Sequence, residues 1–224
     1  MKILWTAAAA ALTLGLVSVA SAHASSIAVQ NSSFETLPAT WATDATPCGG
    51  SCAYSSGSIP DWSTTGATGQ WIVGGYAGNP SATDGDVLAY SNGGSIYQTV
   101  GTAVAGTTYT LQVDVLHRTD LPLEGVVELE VGSVIVATAP VVDGGAGTWS
   151  DWTAAFTATA ADVGQPLTIL LSASGGQGDF DNVRLSAQAV PESASWALLL
   201  TGFAAVAGAT SLVRRRTTGA RAAA

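Results

Sequence analysis

Lysine is almost absent from this chain of 224 residues, in which Lys2 is the only one. Between residues 25 and 189 the cations are Arg118 and Arg184, against fifteen Asp and Glu residues. A domain this acidic is repelled by phosphate backbones, so we expect no nucleic-acid partner. The same negative charge favours solubility.

Histidine is nearly as scarce. Once the leader described below is removed, His117 is the one histidine left, at the end of a predicted strand and without an obvious serine partner. Histidine-dependent triads are therefore not expected. Glu128 and Glu130 share one face of a predicted strand at a separation of about 7 Å, which glycosidases use. Alternation places them in solvent, so we expect a non-catalytic protein, with a carboxylate-based hydrolase as the enzymatic alternative.

Cysteine is limited to Cys48 and Cys52, in "PCGGSC". Outside the cytoplasm a close pair in a Gly/Ser loop is typical of a disulfide. A metal site is the alternative, but it wants four ligands and the chain is short of histidine. A disulfide closing so short a ring would shape one loop and add little global stability.

The two ends carry the hydrophobic runs. Residues 1–24 read as a cationic start at Lys2, an apolar stretch and small residues at a cleavage flank, which predicts a secretory signal peptide. Residues 193–213 carry no charge and would span about 31 Å as a helix, enough to cross a bilayer. Arg214, Arg215 and Arg216 follow and predict a cytoplasmic end, with 218–224 as a short tail. The domain at 25–189 would then face outward, held by a permanent anchor or by a removable sorting segment.

The order of a Pro-Glu motif, an apolar helix and an arginine cluster resembles the PEP-CTERM sorting signal. The residues that carry the resemblance are Val190, Pro191, Glu192 and the three arginines. The family's second proline is Ser193 here. The resemblance implies an exosortase-like processing enzyme as partner, transient residence in the inner membrane of a Gram-negative bacterium, and release to the cell surface or the polysaccharide matrix of a biofilm. Segment 190–217 is the predicted sorting region.

The middle of the chain predicts an all-β domain. In "TTYTLQVDVLHR" the apolar residues Tyr109, Leu111, Val113 and Val115 fall on one face of a strand. "VVELEV", "DWTAAFTAT", "LTILLSA" and several shorter runs alternate in the same way between Gly, Asn, Asp and Pro. Many short strands separated by turns predict a sandwich or barrel.

The succession "NSSFE", "IPDWSTTG", "DGDVLAYSNGGSIYQTV", "AGTTYTLQVDV" and "FDNV" resembles the galactose-binding-like jelly-roll β-sandwiches, which include many carbohydrate-binding modules. In such modules a structural calcium ion commonly joins the first strand to the last. The matching positions are Glu35, Asp84 and Asp181, whose hard oxygens suit Ca²⁺. The alternative makes the two aspartates turn formers and Glu35 a solvated charge.

Exposed aromatic rings stack on sugars, so Trp41, Tyr54, Trp71 and Tyr76 are candidate ligand-binding residues. Arg118 either caps this polar site or pairs with Asp120. Burial in the core is the alternative for each, and it is our prediction for Trp62 and Trp152. The sequence thus predicts an exported, glycan-binding surface or matrix protein, or a structural or adhesive one that lacks a sugar site.

Overall fold

The computed structural model describes residues 23–41 and 53–190, and they form an all-β domain of twelve strands in two sheets. The seven-stranded sheet has the order β10-β7-β12-β5-β4-β2, with β1 paired to the far end of β12. Its strands are β1 (Ser25–Ile27), β2 (Ala53–Tyr54), β4 (Thr68–Ile72), β5 (Leu88–Ser91), β7 (Thr107–His117), β10 (Thr148–Thr157) and β12 (Gly178–Ala189).

The five-stranded sheet has the order β3-β6-β11-β8-β9. Its strands are β3 (Ser63–Thr65), β6 (Ser95–Thr102), β8 (Gly125–Val131), β9 (Val134–Thr138) and β11 (Pro166–Ala173). All pairings are antiparallel in both sheets. The prediction of an all-β sandwich is confirmed, while its jelly-roll, galactose-binding-like assignment stays a prediction.

Alternating residues of both sheets form the main core. The four apolar residues predicted to share a face of β7, from Tyr109 to Val115, are all buried in it. Val127, Leu129 and Val131 of β8 pack there as well, and the glutamates between them point away. Side chains alternate between the two faces of a strand, so every second residue of β7 and β8 faces the core. This alternation is visible in the sequence, which is why the buried face could be predicted.

Trp62 and Trp152 also lie in the main core, as predicted. Trp62 packs against the ring of Phe34 at 5.3 Å between centroids, and its indole N–H donates to the carbonyl of Asn31. Trp152 donates its indole N–H to the carbonyl of Val142 at 2.8 Å. Both tryptophans therefore bury a large apolar surface with the polar atom paired.

Several predicted features lie outside the described residues: most of the signal peptide, Cys48 and Cys52, Pro191, Glu192, the span 193–213 and the arginine cluster. Val190 is described; it is exposed, and its N–H donates to the carbonyl of Gly106. Within 23–41 and 53–190 no helix is long and apolar enough to cross a membrane.

Candidate functional site

A second hydrophobic cluster lies on the face of the seven-stranded sheet that points away from the main core. One row of cross-strand partners runs Trp149–Leu116–Asp179–Tyr90–Gly69. Directly opposite residues share a face, so Asp179 stands between Leu116 and Tyr90. Its neighbour in β12, Phe180, points the other way into the main core.

Trp71, Val73, Leu88, Tyr90 and Leu116 are the buried members of this outer cluster. Tyr54, Tyr76 and Trp149 are partly buried and pack against it. The cluster is thus rich in aromatic rings, and it surrounds the row that contains Asp179.

The Tyr90 side chain has room on this face because its cross-strand partner in β4 is Gly69, which has no side chain. A Cβ atom on Gly69 would come within 2.6 Å of the Tyr90 hydroxyl and 2.0 Å of the Ser55 carbonyl oxygen. The Tyr90 hydroxyl donates to that same carbonyl at 2.8 Å and lies 3.3 Å from the Ser56 hydroxyl. Burial raises the pKa of Tyr90, so the phenol stays protonated around neutral pH.

Asp179 is fully buried, and only one of its carboxyl oxygens is paired. Gln177 donates its amide N–H to Oδ1 at 2.7 Å. Three buried side-chain polar atoms in the described residues have no partner, and two of them, Asp179 Oδ2 and Trp71 Nε1, belong to this site. The third is Gln70 Oε1.

The pKa of Asp179 is raised to about 7, because burial disfavours the charged carboxylate. The Gln177 hydrogen bond, the charge of Arg118 and the nearby Trp71 indole oppose this rise without cancelling it. The Trp71 N–H is close enough to act on the carboxyl but does not reach hydrogen-bond geometry. At neutral pH the group is therefore poised between acid and base, as general acid–base catalysis requires.

Asp181 lies two residues further along β12 and, unlike Asp179, has both carboxyl oxygens paired. Its Oδ2 accepts the N–H groups of Thr83 and Asp84 and the Thr83 hydroxyl, at 2.7–2.9 Å. Its Oδ1 accepts the N–H of Asn182 at 2.7 Å. Burial raises its pKa to about 6, and these hydrogen bonds limit the rise. Asp181 thus anchors the 73–87 loop.

The three predicted calcium ligands each belong to the 73–87 loop or contact it, and each acts there as a hydrogen-bond acceptor. Glu35 Oε1 accepts the N–H groups of Asp86 and Val87, and Asp84 Oδ2 accepts the hydroxyl of Ser33. Among the described residues no three Asp, Glu, His or Cys side chains are placed to hold a metal ion. Calcium binding at Glu35, Asp84 and Asp181 stays a prediction.

The structure brings together four of the five residues predicted to bind a ligand. Tyr54 is the cross-strand partner of Trp71, whose ring meets that of Tyr76 at 6.3 Å and 71°. The Arg118 guanidinium carbon lies 4.8 Å from the Trp71 ring centroid and 5.8 Å from that of Tyr76. Trp41 instead packs against the main core and lines a cleft of about 490 Å³ with Thr40, Tyr54, Ser55 and Ser56 among its walls.

Sequence reasoning missed Asp179, Tyr90, Leu116 and Trp149. The signal was present in "GDFDNV", where two aspartates flank a phenylalanine in a strand pattern. Alternation puts both carboxyls on the face opposite Phe180. That this face is covered depends on the neighbouring strands and on the 73–87 loop, which no local pattern reports. The glutamates Glu128 and Glu130 lie on the other sheet, where Glu128 accepts the Thr138 hydroxyl.

Solved structures of cyclases are similar to this domain. A Stig cyclase, Fisc, from Fischerella sp. TAU in complex with (3Z)-3-(1-methyl-2-pyrrolidinylidene)-3H-indole is 25% identical, with a TM-score of 0.59 over 74% of this chain and 98% of that one. A cyclase from the same organism in complex with 4-(1H-indol-3-yl)butan-2-one is 24% identical, with a TM-score of 0.54 over 73% and 97% of the two chains.

A carbohydrate-binding module also aligns, but weakly. The CBM22-2 xylan-binding domain of Xyn10C from Paenibacillus barcinonensis is 14% identical, with a TM-score of 0.40 over 58% of this chain and 94% of that one. No curated protein sequence matches.

The sequence model of the HpiC1-like family, described as HpiC1 cyclase, matches residues 25–186, almost the whole described domain. The prediction of a non-catalytic protein is therefore wrong, since this family and the similar structures are those of cyclases. That prediction rested on the lack of a histidine triad and on the expected exposure of Glu128 and Glu130, neither of which bears on the buried carboxyl of Asp179. By the extent of this match, the chain belongs to the HpiC1-like cyclase family.

Proposed function

We propose that this protein catalyses the acid-promoted cyclisation of a small, largely apolar aromatic substrate, with Asp179 as the proton donor. The observation that carries the proposal is a fully buried carboxyl with one unpaired oxygen, enclosed by Trp71, Tyr90 and Leu116. An unpaired buried polar group costs stability and calls for an explanation. A substrate atom that accepts the Asp179 proton supplies one.

The chemistry follows from the pKa of about 7. Protonated Asp179 donates its proton to an imine nitrogen or an alkene carbon of the substrate, and becomes the carboxylate. The resulting substrate cation is stabilised by that carboxylate and by the faces of the aromatic rings. A π bond of the substrate attacks the cation and closes the ring. Loss of a proton from the product cation to Asp179 restores the acid, so the net reaction is an isomerisation.

The substrate class rests on the family and on the lining of the site. The Fischerella cyclases are seen with indole-bearing compounds, and the rings of Trp71, Tyr76 and Tyr90 would stack on a flat aromatic substrate. The unpaired Trp71 N–H would donate to an acceptor atom on the substrate. We therefore propose a 3-substituted indole with an unsaturated side chain.

The test is the Asp179→Asn variant, which keeps the shape of the side chain and removes the acid. Isomerisation leaves mass unchanged, so turnover of unsaturated indoles is followed by chromatographic retention at constant mass and by NMR. Loss of a general acid lowers the rate by roughly 10²- to 10⁴-fold. Asp61→Asn is the matched control, because Asp61 is exposed and its positive φ of 67° suits asparagine. Full activity in Asp179→Asn would refute the proposed role.

We propose carbohydrate binding as a second function, at the cleft between Trp41 and Tyr54. Two aromatic side chains beside the hydroxyls of Thr40, Ser55 and Ser56 supply both a stacking surface and hydrogen bonds for a sugar. Glycan-array binding that is lost in Trp41→Ala and retained in Asp179→Asn would support a site separate from the acid. Absence of binding to every glycan would refute it, and the structural or adhesive role without a sugar site would then replace it.

We also propose that the protein is exported and sorted by its terminal segments. The support is the signal-peptide pattern of 1–24 and the PEP-CTERM-like order of Val190, Pro191, Glu192 and the arginine cluster. An exosortase-like enzyme and the inner membrane are the implied partners. Intact-mass measurement on protein from its native cell is the test, and a mass that includes the arginines would exclude the removable-label version.

A further inference from the structure

Arg118 follows the end of β7 and is almost fully buried, with 6% of its surface exposed. Its Nε donates to Asp120 Oδ1 at 2.9 Å and its Nη2 to Asp120 Oδ2 at 2.6 Å. This two-point pairing fixes the plane of the guanidinium. It also lowers the pKa of Asp120, so that carboxylate stays charged.

The fixed guanidinium packs on the rings of Trp71 and Tyr76, at 4.8 Å and 5.8 Å from their centroids. A cation so placed attracts the ring faces, and the attraction grows when water is excluded. Trp71 belongs to β4, whereas Tyr76 belongs to the 73–87 loop. Arg118 therefore connects a strand, a loop and its own segment through one side chain.

A hydrogen-bond network joins the same segment to the loop beside Tyr76. Asn79 Nδ2 donates to Asp120 Oδ1 at 3.1 Å, and the Thr119 N–H donates to Asn79 Oδ1 at 2.8 Å. The Thr119 hydroxyl donates to the carbonyl of Ala77 at 2.6 Å. Residues 118–120 thus hold the 3-10 turn Tyr76–Gly78 and the residue after it.

That turn needs such restraint. Gly75, Ala77 and Gly78 all have positive φ, and for Ala77, at 53°, this backbone conformation is strained. Strained local backbone persists only when surrounding contacts hold it. The far part of the loop is held separately, by Asp181 and by the Trp149 indole N–H, which donates to the carbonyl of Ser81.

We propose that Arg118 is a positioning residue that fixes the first half of the 73–87 loop, and with it the rings of Trp71 and Tyr76, beside the buried acid. The role in turnover rests on the proposed function, whereas the role in loop order does not. Arg118 fixes the rings of Trp71 and Tyr76, which would contact the substrate. Asp120 and Asn79 hold Arg118 and the turn in place.

The first experiment is amide hydrogen exchange on the full chain, comparing the wild type with Arg118→Met and Arg118→Lys. The methionine side chain keeps much of the length and packing of arginine but loses its charge and its paired N–H donors, whereas lysine keeps the charge. We expect exchange at residues 76–79 to rise roughly 10- to 100-fold in Arg118→Met, with β7 and β12 unchanged. Arg118→Lys should recover part of the protection. Unchanged exchange at 76–79 in Arg118→Met would overturn the proposal.

Two further arms separate the possible failures. If Arg118→Met does not fold, Asp120→Asn tests the proposal instead, because it weakens the two-point pairing of the guanidinium but keeps Arg118. It should raise exchange at 76–79 alone, and no rise would refute the proposal. Binding of 4-(1H-indol-3-yl)butan-2-one is the ligand probe, and it should weaken about tenfold in Arg118→Met and less in Arg118→Lys. Loop loosening in Arg118→Met with no probe binding by wild type would contradict the proposed function and leave the loop role intact.

Discussion

The two hydrophobic clusters are built on the same central strands, but they differ in whether their buried tryptophan N–H groups have hydrogen-bond partners. In the main core, Trp152 and Trp62 have their indole N–H groups paired with backbone carbonyls. In the outer cluster, Trp71 is equally buried and its N–H has no partner in the described residues, like Asp179 Oδ2. The main core pairs the indole N–H groups of both tryptophans, although Gln70 Oε1, on the strand face opposite Trp71, is unpaired. The outer cluster holds two unpaired atoms close to each other, Trp71 Nε1 and Asp179 Oδ2, which a substrate would satisfy under the proposed function.

The same contrast separates the two buried aspartates of β12. Asp181 accepts four hydrogen bonds, three of them from the 73–87 loop, and acts as a structural anchor. Asp179 accepts one, from Gln177. Two identical side chains on one strand face therefore have separate roles, because only one of them is surrounded by donors.

The largest expected effect on stability is that of Asp179→Asn. The pKa of this carboxyl is raised from 3.8 to about 7 in the fold, so the folded state holds its proton while the unfolded chain has lost it. Wild-type stability therefore falls as pH rises from about 4 to about 7, by up to about 4 kcal/mol. The variant has no such loss, so it should be more stable than wild type at pH 8 and equal to it at pH 4. Denaturant unfolding at both pH values measures this.

Asp181→Asn is the contrasting variant for that measurement. The raised pKa of Asp181, about 6, acts in the same direction but over a smaller pH range, and an amide nitrogen cannot accept the N–H groups that Asp181 now binds. Asp181→Asn should therefore gain less stability at pH 8 than Asp179→Asn. An equal gain for both substitutions would contradict the division of roles between the two aspartates.

The pH dependence of turnover is the next largest effect. If protonated Asp179 is the acid, kcat/KM should be constant at low pH and fall about tenfold per pH unit above about 7. Because burial also raises the pKa of Asp181, to about 6, the Asp181→Asn variant is the control, and its profile should keep the wild-type midpoint. Initial rates between pH 5 and 9 give both profiles, and a flat wild-type profile would exclude both carboxyls.

A matched pair of tryptophan variants tests the comparison directly. Trp152→Phe removes a paired N–H and leaves the Val142 carbonyl without its donor, whereas Trp71→Phe removes an N–H that has no partner. Since the lost volume is the same, Trp152→Phe should cost about 1–3 kcal/mol more of the free energy of unfolding. Chemical denaturation measures the difference. Equal losses would mean that the unpaired N–H carries no stability cost.

Calcium is expected to have the smallest effect. If Glu35, Asp84 and Asp181 bind Ca²⁺, chelation should lower the melting temperature by a few degrees, as about 1 kcal/mol would. Differential scanning calorimetry with and without chelator measures this, and Glu35→Gln should abolish the response. An unchanged melting temperature would leave these carboxylates as hydrogen-bond acceptors only.

The fold was largely readable from the sequence, and the site was readable in part. The alternation of apolar and polar residues in β7 and β8 indicates which face is buried, so the β-sandwich and its core could be predicted. The candidates Tyr54, Trp71, Tyr76 and Arg118 did converge, although they were chosen as a sugar platform. Asp179 was missed because its proton affinity depends on burial by strands and a loop that are distant in sequence.

The glycine beneath Tyr90 limits how this site can be reshaped by protein engineering. A library that varies Gly69 would lose most of its members, because the smallest added side chain meets the Ser55 backbone oxygen and the Tyr90 ring. Shortening Tyr90 would not make room at Gly69, because the Ser55 carbonyl oxygen excludes a side chain there whatever replaces Tyr90. Leu88 and Val73 belong to the same cluster and already carry side chains, so under the proposed function they are the positions to vary first.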